Sequence, residues 1–96
     1  MKRHQWAAAR LWDGLVGPAD SLWQEGATVL ATTHLDAVQA AKGSERADLP
    51  ALAARIRELA TRAIVVTDHD ARAKLYGELL STCAGCHQLA RPLPVP

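Results

Sequence analysis

Tyr76-Gly77-Glu78-Leu79-Leu80-Ser81-Thr82-Cys83-Ala84-Gly85-Cys86-His87 is the stretch whose reading decides how this chain folds. Tyr76, Leu80, Cys83 and His87 recur at the spacing of one helix face, Ala90 extends it, and Leu75 and Leu79 lie beside it. The stretch holds both cysteines of the protein and places a histidine directly after the second. C-x-x-C-H is the attachment signature of c-type haem. Two thiols add to the two vinyl groups of the porphyrin, and the adjacent imidazole becomes the proximal ligand of the iron. On a helix, Cys83 and Cys86 sit at i and i+3 and His87 at i+4, so the three project from roughly one face.

Other uses of such a pair have their own requirements. A thioredoxin-like C-x-x-C belongs near a βαβ pattern, and the sequence has no strand run of that kind. A structural zinc site takes four ligands, usually with a second paired cluster, and a second cysteine pair is missing. A thiol or metal site, or two structural cysteines that merely precede a histidine, stay open beside haem.

The 96 residues predict one domain, residues 1–96, with a modest core. The chain has no Phe, one Tyr and three Trp, whereas Ala and Leu are abundant. That is the composition of packed helices with room for a flat apolar body that the side chains do not supply. Eleven basic and ten acidic residues give a formal charge of +1, so neither nucleic acid nor an anionic membrane surface is an expected partner. No segment approaches the roughly 20 apolar residues of a membrane span. Met1-Lys2-Arg3-His4 has the positive start of a signal peptide, but Arg10 and Asp13 interrupt any apolar continuation. Covalent haem attachment normally takes place outside the bacterial cytoplasmic membrane, so the motif implies a periplasmic or otherwise exported location. The two observations agree if the chain is a mature domain, or a fragment or one half of a longer protein.

Working outward, residues 2–16 read as a first helix with His4, Ala8, Leu11 and Leu15 on one stripe and Trp12 flanking it. Gly17-Pro18 stops it. Asp20 or Ser21 caps a second helix running to about Ala41, with Trp23, Ala27, Leu30, His34, Ala37, Val38 and Ala41 on one face. Gly26 inside it points to close packing against a neighbour. Asp48 caps a third helix, with Pro50 in its first turn and Leu52, Ile56, Leu59 and Ala63 as its stripe, ending in Ile64-Val65-Val66. Thr67 and Asp70 resemble a capping box for the fourth helix, and Pro92, Pro94 and Pro96 follow it.

Four helices with short links predict an all-α, antiparallel up-down-up-down four-helix bundle. In that order the C-terminal end of the last helix, with His87, lies beside the N-terminal end of the first, with Met1 and His4. His34 falls roughly 10 Å from the same end, and His69 about 27 Å from His87, which excludes His69 as a ligand of the same iron.

With the motif on the last of four helices, the chain resembles the cytochrome c prime family and its low-spin relatives. The resemblance covers the whole chain as architecture. As a motif it covers Cys83-Ala84-Gly85-Cys86-His87 and Arg91, four residues beyond the histidine. It implies haem c held by Cys83 and Cys86, iron bound by His87, and Arg91 close to the imidazole or a propionate. The family's distal residue comes from the first helix, where this shorter chain offers Met1, His4 and Ala8. Methionine raises the potential and a second histidine lowers it, while an empty sixth position admits NO or CO. Met1 and His4 are therefore the candidate sixth ligands.

The expected function is electron transfer to and from a redox partner protein, without substrate turnover. A five-coordinate gas-binding haem protein of the same fold, and a haem-free helical interaction module with a C-x-x-C thiol or metal site, are the alternatives. Trp6, Trp12 and Trp23 are compatible with a homodimer through the first two helices. Trp6 and Trp12 are also candidates to pack on the porphyrin. Arg3, Lys42 and Arg91 would fall near the haem end, where a basic side chain can pair with a propionate.

Overall fold

In the computed structural model, residues 2–33 and 49–90 are described, with side chains from 3–33 and 49–88. Met1, His34, Lys42, Asp48, Arg91 and the three C-terminal prolines lie outside the described residues. The fold is all-helical, with four helices and no strand among the described residues: α1 Lys2–Val16, α2 Asp20–Thr32, α3 Leu49–Val65 and α4 His69–Ala90.

The first helix keeps its predicted limits. Its end is closed by backbone bonds from Gly17 N–H to the Asp13 carbonyl (2.9 Å) and from Ala19 N–H to the Gly14 carbonyl (2.8 Å). The start of α2 differs from expectation, because the cap is Ala19, extended at φ −127° and ψ 104°, with no side-chain cap bond. Asp20 is instead the first helical residue, and its carboxylate accepts a 2.6 Å hydrogen bond from Arg72 of α4. An acidic side chain drawn to a long-range cation cannot also turn back onto its own first turn.

The second helix also ends early, at Thr32 rather than about Ala41, and Thr33 is extended at φ −79° and ψ 135°. The hydroxyls of Thr32 and Thr33 both donate to the Val29 carbonyl, and that of Thr32 to Thr28 as well. Two consecutive β-branched residues that bond back to the preceding turn weaken its continuation. The expected cap of α4 shifts by one residue too. Asp68, not Thr67, accepts the Ala71 N–H at 2.9 Å, so the proposed Thr67–Asp70 box does not form.

The core joins all four helices. Ala7 and Leu11 of α1, Trp23, Ala27 and Leu30 of α2, Ala53, Ile56, Leu59, Ala60 and Ala63 of α3, and Leu75 and Leu79 of α4 are buried together. Trp23 is fully buried, and its indole N–H donates to the Ala63 carbonyl at 2.8 Å. The Arg72 guanidinium is also buried, 5.2 Å from the Trp23 ring centroid, and its Nε donates to the Val66 carbonyl at 2.8 Å. An arginine can be buried here because Asp20, a carbonyl and an aromatic face replace much of its water.

Close packing at Gly26 agrees with expectation. A methyl group there would stand 2.7 Å from the Ala7 carbonyl oxygen and 3.0 Å from Leu11 N of α1. Gly14 makes the same kind of approach from the other side, against the Trp23 backbone. The helix pairs α1–α2, α2–α3 and α3–α4 pack extensively, whereas α1 and α4 meet sparsely. Across that sparse seam, His4 faces His87 and Trp12 faces Tyr76. On the far side of α4, Arg55 of α3 pairs with Glu78 at 3.0 Å and with Glu58 of its own helix at 3.0 Å.

Two glycine substitutions should therefore move stability in opposite directions. Gly26→Ala is expected to lower the thermal midpoint followed by circular dichroism, corresponding to about 1–3 kcal/mol of overpacking. Gly77→Ala, in the middle of α4 with nothing within 4 Å of the new methyl, is expected to raise stability by about 1 kcal/mol through helix propensity. An equal response at the two positions would contradict the close α1–α2 approach.

Candidate functional site

The fourth helix presents two adjacent stripes. Arg72, Leu75, Leu79 and Cys86 form its buried side. Tyr76, Leu80, Cys83 and His87, expected on one helix face, lie on the flank toward α1. Tyr76 and Cys83 are half-buried at the edge of the core, Leu80 is 48% exposed and His87 is exposed. Helix geometry explains the division. At 100° per residue the two stripes are neighbours, and α3 covers one of them while α1 meets the other sparsely.

Both cysteines are free thiols. Burial pushes the Cys83 thiol above its ordinary value, with Cys86 nearby adding to the rise, and burial alone does the same for Cys86. Each is therefore held in the protonated form at neutral pH in the chain without a bound group, which does not suit a thiolate nucleophile. The Tyr76 phenol is likewise pushed up, chiefly by burial and then by Cys83 and Asp13, and remains neutral.

On the α1 side, His4 is half-buried and its ring lies 6.3 Å from that of His87, at 67° between planes. Its Nδ1 is shut off from solvent with no hydrogen-bond partner. A buried polar atom left so costs about 1–3 kcal/mol. Burial lowers the His4 pKa first, followed by nearby positive charge including that of His87, so the neutral ring is favoured. About two turns along, Trp12 is 52% exposed and packs at 6.1 Å from Tyr76. Trp6 is 43% exposed and carries the Arg10 guanidinium 5.0 Å from its ring centroid.

The structure thus brings together Cys83, Cys86, His87 and His4, and sets His69 apart as the first residue of α4. Met1 and Arg91, the other named site residues, lie outside the described residues. The contact between Trp12 and Tyr76 was not foreseen, although Tyr76 stood on a predicted stripe and Trp12 beside one. Among the described residues, no cluster of three or more His, Cys, Asp or Glu side chains is placed to hold a metal ion. No helix among them is long and apolar enough to cross a membrane.

Two outcomes follow for the chain without haem. The thiols should react with iodoacetamide severalfold more slowly than free cysteine at neutral pH, approaching it in rate as the pH is raised, as followed by mass spectrometry. The second concerns His4. Its folded pKa lies below that of an ordinary histidine, so as the pH falls through the usual histidine range the unfolded chain binds the extra proton more readily. Stability should fall as the pH is lowered through this window, and His4→Gln should flatten the fall in thermal midpoint.

No protein family, no curated protein and no solved structure matches the chain at a significant level.

Proposed function

We propose that this chain is a haem c-binding helical bundle that carries electrons in an exported compartment. The observation that carries the reading is the grouping of Cys83, Cys86 and His87 on one end of α4, beside the flank that α1 leaves partly open. The contact pairs support the up-down-up-down order: Gly14 with Trp23, Trp23 with Ala63, Arg55 with Glu78, and His4 with His87.

The residues fit such a group on their own chemistry. Two unpaired thiols stand one turn apart, a histidine follows them, and apolar or aromatic surface at Leu80, Trp12 and Tyr76 lies along the same flank. Cys83 and Cys86 would tether the porphyrin, and His87 would hold the iron on its proximal side. Haem iron, when bound, supplies reversible one-electron chemistry. A porphyrin brings four nitrogen ligands of its own, so the protein needs to add one or two rather than a full cluster.

The chain's own residues then have definable tasks. Leu80, Tyr76 and the half-buried Cys83 keep water from the group's flank, and a drier surround shifts the potential. Exposure of His87 leaves one edge of the site near the surface, where a redox partner protein can approach. No substrate is turned over in this reading. By resemblance to the cytochrome c prime family, Arg91 would influence the imidazole or a propionate.

Export of the chain in a bacterial host carrying the haem-attachment machinery tests the proposal. A Soret band that stays with the polypeptide after denaturation and acid–acetone extraction is expected. Cys83→Ser with Cys86→Ser should abolish covalent retention, and either single change should reduce it. A chain that emerges without a Soret band, with its thiols free or disulfide-bonded, would sink the haem reading in favour of a thiol module.

A further inference from the structure

His4 and His87 come from helices that otherwise barely meet, yet their rings are the two groups that face each other at this end of the seam. We infer that His4 is the sixth ligand of the iron, so that the site is a six-coordinate bis-histidine centre. The inference rests on the haem reading above and names which side chain completes it.

Geometry is the first support. A metal held by one nitrogen of each ring at about 2 Å, with each ring centre about 1 Å behind that nitrogen, keeps the centroids roughly 6 Å apart. The two imidazole centroids are 6.3 Å apart. The 67° between the planes is compatible with this, because each ring can rotate about its own metal–nitrogen bond without changing the separation.

The condition of the His4 ring is the second. It is half-buried, and its Nδ1 has neither solvent nor a hydrogen-bond partner. Histidine in a helix that merely faced solvent would have both nitrogens wetted. Here the ring faces His87, and among the described residues no hydrogen-bond partner receives its Nδ1. Elsewhere in α1, Ala8 has no donor atom, and His69 stands at the opposite end of α4.

The assignment separates carrier from gas sensor. Two imidazoles leave no open position for CO or NO, and they hold the potential below that of a histidine–methionine pair.

Ferric electron paramagnetic resonance, optical spectra and a redox titration of the exported holoprotein test it. The wild type should be low-spin and its ferrous form should not take up CO. His4→Ala should become high-spin and bind CO, with free imidazole restoring the low-spin signal and circular dichroism reporting unchanged helix content. His4→Met should stay low-spin at a raised potential, which keeps the test valid if the alanine variant folds poorly. His69→Ala should match the wild type. A high-spin wild type, or a His4→Ala protein with the wild-type spectrum, overturns the assignment while leaving haem attachment standing; loss of the low-spin signal in Met1→Ala alone would do so in favour of Met1. A chain that retains no covalent haem overturns the haem reading, and the ligand assignment with it.

Discussion

Trp23 is the residue on which the arrangement of helices depends. Its backbone lies against Gly14 of α1, its indole N–H bonds the Ala63 carbonyl of α3, and its ring carries the Arg72 guanidinium of α4. One fully buried side chain therefore touches the other three helices. The contacts with α3 and α4 use two properties of the side chain, its single donor and its π-face, while the approach to α1 is made by the Trp23 backbone and Cβ. A phenylalanine would keep the bulk and strand the Ala63 carbonyl; a tyrosine would misplace the donor.

This knot lies at the end of the molecule where α1 passes into α2 and α3 into α4. The thiols and the two facing histidines lie at the other end. The division is useful physically. Cohesion at the knot fixes the axes of the helices, so the opposite end can leave an α4 flank partly uncovered without losing the fold. A site of the kind proposed above, which would receive a large flat group, needs such a gap, since a fully packed seam would have to be broken to admit it.

The spacing of apolar residues made the four helices legible, and the limits of α1 and α3 came out as read. The ends that shifted did so where a side chain had a distant alternative or a near one. Asp20 left its capping role for Arg72, and Thr32 and Thr33 bonded back to their own turn. Arg72 itself was invisible, because a lone arginine in the first turn of a helix reads as a solvated charge. Cys83, Cys86 and His87 were legible from their spacing alone, but not that Cys86 would fall on the buried side of α4 and Cys83 and His87 on its flank. A helical stripe says which residues are neighbours, and only the positions of the other helices decide whether that stripe is core or margin. His4 was nameable as a candidate from its place in α1; its distance from His87 needed the packing of α1 on α2.

That packing gives Gly26 a mechanical part in the site. The glycine lets α1 seat its backbone at Ala7 and Leu11 directly on α2. His4 stands three residues before Ala7, about 4.5 Å along the axis. Any residue at 26 that lifts α1 off α2 would carry the imidazole out of register with His87, without touching either histidine.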